Sequence, residues 1–302
     1  MTMRCIETAS ADEFFKVLEG FARNVIFRGH QRSDWRLSST LNRHRRAPYN
    51  PRTSWEIDEM LRQFLGNLRM IGIDPPYAQD LRRERLEFGR HYGVPSPLID
   101  FSYSPYMATF FAFSGVRPYD STDADRAAIY CLNVFELAGV WASFCARKHD
   151  NSIDGPQFTD EHAKFSYEQE DFFQERCPAN VLKFLPTPAS WNRRMRRQIG
   201  CFLYDSLPYP WHGHSDLERL LEQEREFPMH PETGGVLLTK VFLPHKRGRE
   251  VLERLDLMGI NATHLYDSHE GAAIDVVNSS NYDRKTGQVW DLRLPTPSLP
   301  DQ

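Results

Sequence analysis

Apolar and polar positions alternate along the 302-residue chain in a way that predicts short helices and strands in irregular succession. Phe14, Phe15, Val17, Leu18 and Phe21 recur at helical spacing, so residues 10–21 read as an amphipathic helix that Ser10 or Asp12 can cap. A short strand follows over 24–28, apolar at Val25, Ile26 and Phe27 and ended by Gly29, and residues 34–42 read as a loop. Ile57, Leu61, Phe64, Leu65 and Leu68 place a helix over 55–68, and a second helix over 81–92 stops at Gly93. Pro95 and Pro97 push their predecessors out of the helical region, so 94–100 reads as extended. Pro105 suits the first turn of a buried helix over 104–114. Strands are expected at 127–134, 198–204 and 235–243, helices at 217–227 and 246–257, and a short extended piece at 262–266. No βαβα period, GxGxxG or Walker motif occurs, which favours an α+β domain with a mixed, mostly antiparallel central sheet flanked by helices. That domain is expected over 1–285, with a less regular loop-and-helix insertion at about 145–190 and a loose tail over 286–302.

Composition narrows the classes. With 40% hydrophobic and 26% charged residues, the chain can build a core. A net charge of −4 argues against a generally basic nucleic-acid binder, although a local basic patch is compatible with it. The five cysteines are odd in number and form no CxxC pair, so they read as reduced thiols of a cytoplasmic protein. No apolar run reaches membrane-spanning length and the first residues carry no signal-peptide core, so no membrane partner is expected.

Arg28 ends an apolar strand, and a buried guanidinium needs a partner. It reads either as half of a structural ion pair with Asp100 or as a fork for a phosphate or carboxylate. His91 and Tyr92 stand at a helix end, where a histidine is often a cap or a satisfied core residue. Ser102 or Ser104 can cap the helix that Pro105 opens, and the free amides of such a turn also attract anions. Arg193, Arg194, Arg196 and Arg197 form the most basic run, read either as a solvated face or as a nucleic-acid or dinucleotide contact. His212 and His214 suggest no third ligand nearby, so no metal is expected.

Several of these pieces resemble, in order, the FRG-domain family. Residues 26–30 (IFRGH) are similar to its naming motif, and 33–43 (SDWRLSSTLNR) to the stretch that follows. Residues 88–113 (FGRHYGVPSPLIDFSYSPYMATFFAF) resemble its longest motif, 196–202 (RRQIGCF) a later element, and 264–273 (HLYDSHEGAA) its C-terminal end. Arg90 stands where that motif has glutamine, and Ser96 with Pro97 where it has threonine and arginine. Phe101 and Ser102 replace its tryptophan and threonine.

A further resemblance is to ADP-ribosyltransferases that open with an arginine. It implies a split sheet and NAD as substrate, with Arg28 and Gly29 at the dinucleotide. It also implies that Ser102 and Ser104 brace the pocket, that Tyr92 or Tyr103 stacks, and that Gln198 or Glu270 acts on the ribose. His91 and Asp100 would complete the site. The chain would then be an ADP-ribosyltransferase-like enzyme or NAD glycohydrolase, acting as a bacterial toxin or anti-phage defence effector on a protein or nucleic-acid acceptor. The alternative is a non-catalytic nucleotide- or nucleic-acid-binding module of a defence system.

Overall fold

The computed structural model describes residues 3–44, 53–77, 82–117, 121–122, 124–134, 137, 182–185, 188–205 and 237–283. The apolar N-terminal run Phe14, Phe15 and Leu18 forms the buried face of α1 (Ala11–Glu19), and Ser10 accepts the Glu13 amide as its cap. Strand β1 (Met3–Glu7) precedes α1, and β2 (Val25–His30) follows it. Next come α2 (Thr40–His44), α3 (Thr53–Met70), α4 (Arg82–His91), β3 (Leu98–Ser102) and α5 (Pro105–Phe113). The second half contributes β4 (Arg126–Asn133), β5 (Leu182–Leu185), α6 (Arg193–Arg197), β6 (Gly200–Asp205) and β7 (Leu238–Pro244). A 3₁₀ turn at His245–Arg247 leads into α7 (Gly248–Leu257), α8 (Ala262–Tyr266) and α9 (His269–Asp283).

The seven strands form one mixed sheet in the order β1-β7-β4-β2-β3-β6-β5. Among the described residues, the edge pair β1–β7 is parallel and the other pairs are antiparallel. The centre of the sheet is nearly split. β2 pairs with β4 from Val25 to His30, whereas it meets β3 at a single register pair, Phe27 opposite Ser102.

Side-chain alternation sends Val25 and Phe27 to one face, where α1, α5, α7 and α8 cover them in a core with Phe14, Phe110, Ile129 and Val241. On that same face, beyond the seam, Leu98 and Phe202 pack with Leu41, Ile57, Leu61 and Leu86 of α2–α4. The opposite face buries Ile26, Ile99, Phe101, Tyr130 and Leu203. Two groups of helices thus share one face, with the β2–β3 seam between them.

Several expectations shift. Gly29 lies within β2 instead of ending it. A Cβ there would sit 1.9 Å from the Ala108 carbonyl oxygen, so the missing side chain lets α5 pack backbone against strand. Residues 262–266 are helical, not extended: Asn261 caps them, and Asp275 accepts the amides of Ala262 and Thr263. Gln198 caps α6, and its strand begins only at Gly200. Residues 182–185, expected to be irregular, add an edge strand to β6. β1, α2 and α9 lack a strong apolar period and were not foreseen from it. The helix expected at 217–227, His212 and His214, and the tail after 285 lie outside the described residues. Among the described residues, no helix is long and apolar enough to cross a membrane.

Gly29→Ala is expected to destabilise the fold by about 3 kcal/mol or more, because its new methyl meets backbone that cannot rotate away. Urea unfolding of the variant measures this. An unchanged midpoint would contradict the close β2–α5 contact.

Candidate functional site

A cleft of about 370 Å³ opens over the β2–β3 seam, between the two groups of helices. Gly29, Asp100 and Ser102 lie along the strands, Glu87, Arg90 and His91 come from α4, and Arg194 and Gln198 from α6 and its cap. Ala108 and Phe111 of α5 and Tyr266 of α8 close the far wall.

Arg28 reaches this cleft through the seam. Its Nη1 donates to the Asp100 carbonyl oxygen at 2.6 Å, replacing the ladder bond that a continuing β2–β3 pair would make. Its Nε donates to His30 Nε2 at 3.0 Å. That bond makes Nε2 the acceptor and leaves the His30 proton on Nδ1, which faces the Trp35 carbonyl oxygen. Burial, followed by the charge of Arg28, brings the His30 pKa down to about 3, so the ring is neutral at physiological pH. The Arg28 carboxylate partner is weakly engaged: Nη1 lies 3.9 Å from Asp100 Oδ2.

Asp100 is instead held by Arg90, whose Nε donates to Oδ1 at 2.7 Å while Nη2 donates to Oδ2. Arg90 Nη1 also donates to Thr40 Oγ1 at 3.1 Å. Burial alone would push the Asp100 carboxyl up, but Arg90 and then Arg28 outweigh it and hold the group below its usual range. Burial also lowers the Arg28 pKa to about 10, with Asp100 opposing and Arg90 and Arg43 adding to it, so Arg28 remains cationic. The guanidiniums of Arg28, Arg90 and Arg43 therefore act on one carboxylate, an excess of positive charge in which Arg28 and Arg90 are largely buried and Arg43 is exposed.

A second network fixes the α6 wall. The buried Glu87 carboxylate accepts the Ala189 amide at 2.9 and 3.0 Å and the Asn192 side-chain amide at 2.8 Å. Asn192 Oδ1 in turn accepts the Met195 amide and caps α6. Burial raises the Glu87 pKa despite these bonds. α6 then presents Arg194, which stacks 4.2 Å from the Tyr266 ring centre, and ends at Gln198. Ser102 Oγ donates to the Gln198 carbonyl oxygen at 2.7 Å and accepts the Ser104 amide at 3.0 Å. Ser104 accepts the Met107 amide as the cap of α5.

Of the residues singled out in the sequence, Arg28, Gly29, His91, Asp100, Ser102, Gln198 and Arg194 line this one cleft. Others do not. Tyr92 is 62% exposed and packs on Phe88 and Phe64, away from the lining, because the last turn of α4 rotates it outward. Tyr103 and Ser104 serve the β3–α5 turn, where the Tyr103 amide donates to the Ile199 carbonyl oxygen. Glu270 stands exposed in the first turn of α9, outside the lining, although its charge acts on His91. Burial and then Arg194 nonetheless lower the His91 pKa, so that ring too is neutral near pH 7.

The arginine run divides. Arg197 pairs with Asp267 at 2.6 Å and donates to the His264 carbonyl oxygen, Arg194 faces the cleft, and Arg193 and Arg196 are exposed. Glu87, Asn192, Phe111 and Tyr266 were missed. Glu87 could have been found from its i, i+3 and i+4 spacing with Arg90 and His91 on one helix face, whereas Asn192 and Tyr266 arrive through long-range packing. Among the described residues, no three His, Cys, Asp or Glu side chains group as a metal site.

Residues 23–121, which carry β2, α4, β3 and α5, match the family model of the FRG domain. The chain therefore carries an FRG domain, and the Arg28–Asp100 seam lies inside it. No curated protein and no solved structure matches the chain.

Asn192→Ala should lower stability by about 1–2 kcal/mol in urea unfolding, since it removes a helix cap and one donor to the buried Glu87. A second expectation concerns acid. His30 resists protonation down to about 3 in the fold, while an unfolded histidine takes its proton near ~6.5. Stability should therefore fall as pH drops from ~6.5 toward ~4, by at most about 1.4 kcal/mol per pH unit from this group. His30→Asn should remove that share of the acid limb. Identical limbs in the two proteins would contradict a neutral His30.

Proposed function

We propose that the cleft binds a nucleotide through its phosphates, and that the chain is an NAD-using ADP-ribosyltransferase or NAD glycohydrolase. The observation that carries this reading is the unspent donor capacity of Arg28. Its guanidinium lines the cleft, among the described residues only Nε and one Nη1 hydrogen are engaged in hydrogen bonds, and Asp100 is already taken by Arg90. An entering phosphate would meet the free edge of that fork and the nearby Arg194, and would offset the excess positive charge. The cleft volume suits a nucleotide-sized ligand.

The chemistry asks for positioning more than for a strong nucleophile. The bond between the anomeric carbon and the nicotinamide nitrogen breaks, and the electron pair leaves with neutral nicotinamide. Water or an acceptor nucleophile then captures the oxocarbenium-like carbon and loses its proton. Ser102 supports this reading by bracing the strand end beneath the cleft, where it holds the backbone of the lining residue Gln198. Glu270 is not part of the lining, although its charge reaches His91, which is. A toxin or defence role would follow from depletion of NAD or modification of an acceptor.

The second reading, a nucleic-acid-binding module, is favoured by one observation. Arg193 and Arg196 are exposed and have no ion-pair partner among the described residues. In that case affinity falls steeply with salt, and a charge-reversed pair removes it.

Incubation with NAD followed by mass spectrometry should show free nicotinamide with either ADP-ribose or a modified acceptor. Arg28→Ala should lower this turnover about 100-fold or more, and Arg28→Lys should restore little of it, because the ammonium lacks the fork. Full turnover in Arg28→Ala would sink the proposed site.

A further inference from the structure

We propose that Arg90 is the positioning residue that keeps the anion site open: it holds the Asp100 carboxylate off Arg28, and without it that carboxylate turns onto Arg28 and closes the fork from within. The inference rests on the phosphate-binding reading of the cleft and names the group inside the chain that competes with the ligand.

Two guanidiniums meet one carboxylate at nearly equal exposure. The Arg28 side chain is 16% exposed and the Arg90 side chain 15%, while the Asp100 side chain is 39% exposed, and all three line the cleft. Their hydrogen bonds are unequal. Arg90 uses all three of its nitrogens, Nε and Nη2 on the two Asp100 oxygens and Nη1 on Thr40 Oγ1. Among the described residues Arg28 uses Nε and Nη1, and neither of these bonds goes to a carboxylate.

Arg90 is itself fixed. Thr40 Oγ1 accepts from Arg90 Nη1 and from the Ser96 amide and donates to the Ser96 carbonyl oxygen, which uses the full capacity of the hydroxyl. The Leu41 amide donates to the same carbonyl oxygen at 3.1 Å. The start of α2 is thereby tied to the segment that leads into β3, and the Arg90 fork is aimed at Asp100.

The competing contact is close. Asp100 Oδ2 lies 3.9 Å from Arg28 Nη1, so a shift of about 1 Å brings it within hydrogen-bond distance. A side-chain rotation supplies that shift, since the Asp100 backbone is held in β3 opposite Phe202. The two-pronged contact is the stronger one, so the carboxylate stays with Arg90 while that fork is present. Without it, Arg28 is the neighbouring charge that Asp100 can pair with, and an entering anion must displace a carboxylate to reach the guanidinium.

Calorimetric titration of the full chain with inorganic pyrophosphate, at fixed ionic strength, tests this. Arg90→Gln should weaken binding about tenfold or more, and Arg90→Lys, which keeps the charge but loses the fork, about fivefold to tenfold. Combining Arg90→Lys with Asp100→Asn removes the competitor and should recover most of the lost affinity. Asp100→Asn alone, the mildest change, should bind pyrophosphate at least as tightly as the wild type. Arg28→Ala should bind weakly, and circular dichroism checks that each variant is folded. Wild-type affinity in Arg90→Lys would show that charge alone suffices. A double variant as weak as Arg90→Lys, or a loss of affinity in Asp100→Asn alone, would show that Arg90 or Asp100 serves the ligand directly. Each of these results overturns the positioning role, and weak binding by Arg28→Ala beside it leaves the cleft reading standing. Failure of the wild-type chain to bind pyrophosphate would overturn the cleft reading and the Arg90 role with it.

Discussion

The Arg28 hydrogen bond to the Asp100 carbonyl is the contact around which the site is arranged. It lies where two central strands of one sheet stop pairing. In a continuous sheet that carbonyl would receive a strand amide, and no gap would exist. With the pairing confined to Phe27 and Ser102, the guanidinium enters the seam, satisfies the exposed carbonyl and remains open to the cleft above. The opening of the sheet and the placement of the charge are therefore one event. Arg90 completes the arrangement by occupying the Asp100 carboxylate. Arg28 is thereby spared a full ion pair. In the FRG motif that residues 88–113 resemble, an arginine is usual at position 97, where this chain has proline. Here α4 supplies a guanidinium at position 90 instead.

Much of the fold was legible because its signals are local. Ser10, Gly93, Ser104 and Pro105 mark helix boundaries through capping and backbone geometry that neighbouring residues set. The strand at 126–133 follows from an unbroken apolar run. Where the reading failed, the deciding contacts came from far along the chain. Residues 262–266 carry no helical stripe, and their helix depends on the Asp275 carboxylate meeting two amides. Gly29 looked like a strand end because glycine usually punctuates, yet it is retained inside β2 by the approach of α5.

The site was legible in part for the same reason. Arg28, His91, Asp100, Ser102 and Gln198 were marked as polar residues at element ends, and strand and helix ends converge at the seam. Tyr92 and Tyr103 were chosen as aromatic neighbours in sequence, but successive residues at a helix end or strand end point in different directions. A tyrosine that does line the cleft, Tyr266, comes from a helix more than 150 residues later, and the packing of α8 beside α6 brings it to Arg194. Charge patterning hides a similar spread: the four arginines of residues 193–197 become one cleft residue, one ion pair with Asp267 and two exposed side chains.

The backbone contact at Gly29 also bears on motion. Strand β2 and helix α5 touch without intervening side chains, so that side of the cleft has no soft layer in which to slide. The opposite side is built differently. Helix α6 spans Arg193–Arg197, is tethered to α4 through the side chains of Asn192 and Glu87, and passes into β6 through the single strained residue Ile199. Side-chain tethers and one unusual torsion can adjust where a backbone-to-backbone contact cannot. The cleft thus joins two kinds of wall: a β2–α5 floor set by backbone contact, and an α6 side held by side chains, through Glu87 and Asn192 on one flank and Arg197 with Asp267 on the other.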